Sequence, residues 1–567
     1  MKSIKKSVAV FLTAATLFSL CSCHEGGNTE NNSEKDNAVT TGAVTSVVTE
    51  IESESESESE TEEIKITMIE TVDDVDALLS SIMIFKFDSP YAVINGARID
   101  MGEAAIFDEF ALFPADFVEE MKLGEVKDED IVEKDGVRYT KLNAFTSVGK
   151  TAKLLVGDIA LVSDGEWDVA EDIFDEYVRR LNNMYAVGSI FSAKMTGNRP
   201  VLFETDEMLA EAKAKAEAKE EPWYSTWKGI ESRANNAINL GPKPNTGASA
   251  TQYRLAACKD MINARYLALA YLYTGQTKYL DNAVKFLKAY AEPMLGTDKY
   301  LDYSAPKGDG QADIGLNIAA PLTAACDVYS LIYTHVSDAD RALIENWIKV
   351  EADLTVEGHK YWIRNDYYGA QYGNNHLTSH LMGIIAAAYV LEDDELLTYA
   401  ILNGDNKADL CEMVTEAILM EGDEVYGADT DSNFAPGEIY DRYRSIQQNG
   451  FGYAMYHLKF LTHSGIMLYH NGVNIFDYLG ENQENLLLSF QVYADYLIQN
   501  DITLHGGHYS NDKSLNRENA YSTYSIAYYV YKDETIKSVL DAFAAQKVQC
   551  SEIEVLGSTA TYVFGAK

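Results

Sequence analysis

Paired cysteines, surplus cations and a late membrane-spanning run are all scarce in this chain, and each scarcity excludes a class of protein. Cys258, Cys326, Cys411 and Cys550 are spread through 567 residues without paired spacing. That rules out a disulfide framework and a cysteine-based zinc site and leaves them as small buried hydrophobes. Lys and Arg number 46 against 88 Asp and Glu, for a formal net charge of −42. A body this acidic is no nucleic-acid binder, since it would repel the phosphate backbone. Beyond the N-terminus no uninterrupted apolar run reaches the length needed to cross a bilayer. Histidines do not cluster; His505 and His508 lie three apart on a Gly-rich loop, but no third ligand is spaced nearby, so the reading is no metal and no cofactor.

What is present begins with a targeting pattern. Lys2, Lys5 and Lys6 precede an apolar run from Val8 to Leu20 and then Cys21, Ser22 and Cys23. A basic region, a short apolar region and small residues before a cysteine describe a bacterial lipoprotein signal over residues 1–23, with Cys23 the lipidated residue. The expectation is a chain on the extracellular face of the cell membrane, touching the membrane only through that anchor. Residues 24–64 contain the run SESESESE, whose like charges repel and extend; they read as a disordered acidic tether.

Residues 65–200 alternate apolar and polar residues in short pieces bounded by Gly and Asp, notably Tyr91 to Gly96, Gly136 to Leu142 and Gly157 to Asp164, which predicts a small α+β accessory module. Thr205 to Glu221, rich in Ala, Glu and Lys, reads as a solvent-facing joining helix. From there helical periodicity dominates, with segments at Tyr253 to Tyr273, Tyr279 to Pro293, Leu316 to Tyr333, Ala339 to Val356, His376 to Leu391, Asp394 to Met420, Gln448 to Tyr469 and Asn485 to Gln499. Many are apolar on more than one face, as helices in two concentric layers must be. The fold class is therefore mainly α: an incomplete α/α toroid over residues 205–567, preceded by the small module. Ser551 to Phe564 alternates like a strand pair.

The chemistry gathers in WIRNDYYGAQYGNNHLTSH, Trp362 to His380. A Gly- and Tyr-rich loop runs into an apolar helix and delivers Asn374, Asn375 and His376 to the helix start. An Asn there caps the helix in the ordinary way; the stretch also places an amide and an imidazole side by side, and reads as the floor of an active site.

Several stretches together resemble the alginate lyase family of polysaccharide lyases. ARYLALAYLYTGQTKYLDNAVKFLKAYAEPML and LNIAAPLTAACDVYSLIY are similar to its helical frame, YGNNHLTSH to its Asn-Asn-His motif, and GEIYDRYRSIQQNGFGYAMYHLKF to its Arg-bearing helix, in that order over about residues 222–500. The resemblance implies an α/α toroid that cleaves a uronic-acid glycan by β-elimination. Asn375 would neutralise the substrate carboxylate, His376 would contact it or act as base, and Arg444 would bind it or lower the pKa of a tyrosine. The family's catalytic tyrosine corresponds here to Phe451, which has no proton to give. Tyr453 is first in line to replace it, then Tyr367, Tyr368 and Tyr372; on a helix, though, Tyr453 points to a different face from residue 451. Asn374, Arg364, Tyr372, Glu438 and Arg442 complete a substrate-binding set, with Arg364, Arg442 and Arg444 expected to form a positive groove on the negative body. Glu438, Asp441 and Arg442 read equally well as a local charge network.

Two other classes stay open: a glycoside hydrolase using Asp366 and Glu438 as its carboxylates, and a glycan-binding lipoprotein without activity. The partner in every case is a polysaccharide, anionic for the lyase. The accessory module, through AVINGARIDMG, FALFPADFVEEM and the strand-rich stretch after Gly136, resembles the N-terminal domain of copper amine oxidase-like proteins, in which Tyr139 would open a helix.

Overall fold

The structure is a computed structural model, describing residues 66–565 except 156–158, 189, 246–249, 296–313, 366–372, 426–433, 446–448, 507–508 and 510–511. Within the described elements the side chains of Leu155, Ile314, Arg444 and Ser445 are also left aside. Cys23, the acidic tether, Asp366, Tyr367, Tyr368, Tyr372 and His508 lie outside the described residues, as does the side chain of Arg444.

The N-terminal module is built on strands β1 (Thr67–Ile69), β2 (Met83–Lys86), β3 (Ser89–Ile94), β4 (Ala97–Asp108), β5 (Phe110–Pro114), β6 (Ile131–Lys134), β7 (Val137–Lys141), β8 (Thr151–Leu155), β9 (Ile159–Ser163) and β10 (Trp167–Val169). Eight form an antiparallel sheet in the order β6-β7-β5-β4-β3-β2-β9-β8, and β1 pairs in parallel with β10. Four helices accompany them: α1 (Val72–Leu79), α2 (Ala115–Glu120), α3 (Asn143–Thr146) and α4 (Phe174–Ala186). Alternation along β2 sends Met83 and Phe85 to one core and Ile84 to another, so the sheet buries both faces. Tyr139 lies in β7, paired with Val132 of β6 and Pro114 of β5, and opens no helix; α3 starts only after Leu142.

The second part is the incomplete α/α toroid. Its helices are α5 (Asp206–Glu217), α6 (Trp223–Leu240), α7 (Ala250–Thr274), α8 (Thr277–Ala291), α9 (Ile314–Ile332), α10 (Asp338–Asn365), α11 (Asn375–Leu391), α12 (Asp394–Ile401), α13 (Leu410–Ala417), α14 (Gly450–Tyr469), α15 (Leu486–Gln499), α16 (Arg517–Tyr531), α17 (Glu534–Ala545) and α18 (Ala560–Val563). α7, α9, α11, α14 and α16 pack side by side as an inner layer, with α6, α8, α10, α12, α15 and α17 outside. Sequence explains the division: α11 is buried from Asn375 to Val390, whereas α8 and α17 carry one apolar stripe each. Neighbouring inner helices meet start to start: Asn317 at the start of α9 donates to Thr251 at the start of α7 (3.5 Å), and Asp441, just before α14, takes the first N–H of α11 (2.9 Å), so these inner helices begin at one common end.

Three expectations need correction. Asp394 to Met420 is broken, because Asn403, Asn406 and Asp409 turn the chain with side-chain-to-backbone bonds and Asp409 caps α13. Residues 551–564 contain no strand; the Glu552 carboxylate gathers the backbone N–H groups of Glu554, Val555, Leu556 and Gly557 into a compact loop. And α9 is long and apolar enough to cross a membrane, but 94% of that stretch is buried inside the protein, which makes it a core helix of the toroid.

The module docks on the end of the toroid where α11 and α14 finish. Asn183 exchanges two hydrogen bonds with the backbone of Leu479 (2.7 and 2.9 Å), Asn182 donates to the Asp477 carbonyl at 2.7 Å, and Ala193 and Met195 bond the Asp394 and Glu392 carboxylates. Gly472 (φ +86°) sits so close under the Tyr91 ring that a Cβ would approach it to 2.7 Å, a contact only glycine permits. The module therefore braces the end opposite the helix starts.

Buried carboxylates tie the layers together. Glu351 on α10 is fully buried, accepts the Tyr253 hydroxyl at 2.6 Å, and is pushed by burial from its ordinary 4.5 up to about 8. A carboxyl that keeps its proton in the folded state while the unfolded chain releases it contributes most below the unfolded pKa and loses that contribution as pH rises toward the folded one. Glu351→Gln keeps an acceptor for Tyr253 and is expected to flatten this loss. Thermal melts between about pH 5 and pH 9 should show the variant gaining on wild type as pH rises; parallel curves would refute the assignment.

Candidate active site

The common end where the inner helices begin carries the residues singled out in the sequence. Asn374 caps α11 with extended backbone (φ −132°, ψ 159°), and its side-chain oxygen accepts the N–H groups of His376 (3.0 Å) and Leu377 (3.4 Å). The Asn375 N–H is taken by Asp441 Oδ2 at 2.9 Å. The first amides of α11 are thus satisfied within the protein, so what this helix end offers a ligand is the side chains of Asn375 and His376. Both residues are almost buried, each 5% exposed. The His376 ring lies against Trp362 of α10, with centroids 4.4 Å apart and planes inclined by 35°.

Asp441 belongs to a 3₁₀ turn, Tyr440–Ser445, which packs on the start of α14. In that turn Arg442 forms a buried ion pair with Glu438 and stacks over Tyr443 and Tyr509, at 4.5 and 5.4 Å from the ring centroids. Glu438 also accepts the Tyr509 hydroxyl at 2.9 Å and the Ala435 N–H at 3.0 Å. A carboxylate so engaged is no general acid, which disfavours the hydrolase reading. Arg442 likewise brings no net charge, its partner cancelling it. Arg364 sits on the exposed end of α10, near Glu357 (4.0 Å) and over Tyr361. Two positions along a helix turn it roughly 160° from Trp362, away from His376. The described cations do not assemble a positive groove at Asn375.

Phe451 settles the face of α14. Its ring is fully buried, edge-on to Tyr493, Tyr496 and Tyr509 at 5.5, 5.7 and 5.3 Å, and its N–H and that of Gly450 are capped by Asp512 at 2.6 and 3.0 Å. Residue 451 therefore faces α15 and the aromatic core. Tyr453, half-buried and two positions on, belongs to a different face of α14; one turn further, Tyr456 lines a small cavity with Lys459 and Asn516. The change of face that weighed against Tyr453 in the sequence keeps it out of the aromatic cluster around Phe451.

The structure thus brings Asn374, Asn375, His376, Glu438 and Arg442 into one neighbourhood through Asp441, sets Tyr453 on the adjoining helix start, and leaves Arg364 on the rim. Sequence reasoning passed over Trp362, Tyr509 and Asp512. Nothing local marks them, although Trp362 stands at the head of the stretch that carries His376. His505 is exposed beside Asp495 at 3.4 Å, and among the described residues no cluster of metal-ligating side chains occurs.

The alginate lyase sequence profile matches residues 204–503. No curated protein matches the chain. Among solved structures the chain is similar to an alginate lyase from Bacteroides ovatus (13% identity, 65% of this chain and 100% of that one, TM-score 0.46). It is also similar to alginate lyase A1-III from Sphingomonas species A1 (12% identity, 63% and 94%, TM-score 0.43). A variant of A1-III complexed with tetrasaccharide is similar too (14% identity, 58% and 84%, TM-score 0.40). The profile runs from the entry to α5 past the end of α15, takes in Asn375, His376 and Tyr453, and covers more than half of the chain: the chain belongs to the alginate lyase family of polysaccharide lyases.

Proposed function

We propose that the chain cleaves a uronic-acid-containing glycan, alginate- or glucuronan-like, by β-elimination at the start of α11, while tethered to the extracellular face of the membrane through Cys23. The observation that carries the reading is the paired amide and imidazole of Asn375 and His376 at a helix start whose backbone donors are already occupied. A uronate carboxylate entering there meets side chains. Hydrogen bonding by Asn375 and His376 draws charge onto that carboxylate, which acidifies the adjacent C5–H. A base removes the C5 proton, the freed electron pair becomes the C4–C5 double bond, the C4–O bond breaks, and the departing oxygen takes a proton. Tyr453 is assigned to give that proton and, on the same side of the sugar, His376 or Tyr453 itself to take the first. Atoms balance without water or cofactor.

The test is ultraviolet absorbance of the conjugated unsaturated uronate on incubation with alginate, glucuronan and other polyuronates, beside His376→Ala. A rise that the variant loses is the expected result. Reducing ends without absorbance would indicate hydrolysis, and no change by either assay would indicate a binding protein; both would overturn the reading. For the anchor, the expected result is incorporation of labelled lipid that Cys23→Ala abolishes.

A further inference from the structure

His376 sits on the second residue of α11, where a helix start alone does not fix a side chain. Its backbone N–H is held by Asn374, but the ring must be oriented by something outside α11. A neighbour that meets it is Trp362, 3% exposed in the last turn of α10, whose indole lies 4.4 Å from the imidazole, centroid to centroid, at an inclination of 35°. Trp362 is itself firmly packed: it belongs to the main hydrophobic core, and α10 packs along both α9 and α11. On the other flank Asp441 fixes the Asn375 backbone at 2.9 Å. The Asn375 backbone and the His376 ring are thus held by two other elements, the 440–445 turn and α10.

We propose that Trp362 is the positioning residue of this site, its indole face setting the plane in which His376 presents its ring nitrogen to the sugar; this rests on the lyase reading above. A close ring-on-ring contact, tilted by 35°, restrains the imidazole from rotating about its Cβ–Cγ bond. A small displacement of a group that must meet a substrate atom is costly in turnover even when binding is unchanged. Phenylalanine preserves an aromatic face at this place; leucine fills space without one.

The experiment compares Trp362→Phe and Trp362→Leu with wild type, using kcat and KM on whichever polyuronate the wild type cleaves, melting temperature, and the NMR resonances of the His376 ring protons. Those protons are shielded by the indole and should move downfield in Trp362→Leu. The expected result is a loss of kcat of roughly 10²-fold in Trp362→Leu with KM little changed, and recovery of most of kcat in Trp362→Phe. A general packing role would instead lower the melting temperature of both variants and leave kcat of the folded fraction intact. Unchanged kcat in Trp362→Leu, or unshifted His376 resonances, overturns the proposal while leaving the lyase reading in place. A wild type inert on every polyuronate overturns both.

Discussion

Replacing Tyr453 by Phe is expected to lower turnover by about 10²–10⁴-fold, the range that a positioned proton donor contributes. The fold should be untouched, because Tyr453 is half-buried and turned away from the aromatic core around Phe451. The reciprocal change is the sharper control. Phe451→Tyr restores the family's tyrosine at that position, yet it would place a hydroxyl inside a shell of Tyr493, Tyr496 and Tyr509. It is expected to add no activity and to cost about 1–3 kcal/mol if the new hydroxyl finds no partner. Steady-state kinetics and thermal melts on the two variants decide the matter. Full activity in Tyr453→Phe would remove Tyr453 from the mechanism, and rescue of Tyr453→Phe by Phe451→Tyr would mean that residue 451 reaches the sugar after all.

The second large effect concerns stability. Arg265 on α7 is buried against two carboxylates, Glu204 from the strap before α5 and Asp327 on α9, and it donates to Thr559 Oγ1 at 2.7 Å. One side chain therefore joins the entry to the toroid, two inner helices and the C-terminal loop. Removing the cation strands two desolvated carboxylates, so Arg265→Met is expected to cost about 3–5 kcal/mol. Burial already raises the Asp327 carboxyl, with Arg265 the main opposing influence. Without the arginine the Asp327 carboxyl would hold its proton to higher pH in the folded state, so the variant should recover stability as the solution is acidified and lose it as pH rises. Adding Glu204→Gln and Asp327→Asn to Arg265→Met should restore much of the loss. Denaturant titrations at acidic and neutral pH measure this; a loss independent of pH would show that Arg265 acts through packing alone.

A similar ion-pair knot holds the closing segment. Lys459 on α14 is buried with Glu552 and Glu554, and Arg254 at the start of α7 reaches Glu554. The C-terminal loop thus bridges two inner helices that are not neighbours in sequence. Its charged residues read in the sequence as an alternating strand, because a pattern of apolar and charged positions looks the same whether the charges face water or partner inward.

Sequence by itself determined the helical periodicity of most of residues 250–500, a helix start in the run Asn374, Asn375, His376 with an Asn suited to cap it, the strands around Tyr91, Tyr139 and Leu161, and the presence of an amide and an imidazole at one helix end. These are local properties: side-chain spacing and a cap bond within three residues. Only the tertiary structure decided which way those groups are held. Whether Tyr453 or residue 451 leaves the core depends on where α15 and Tyr509 lie. Whether Arg442 is a free cation depends on Glu438 folding back beside it, and the plane of His376 depends on an indole fourteen positions earlier. Each is a contact between elements brought together by packing, and the sequence on either side of it carries no periodicity that would announce the partner.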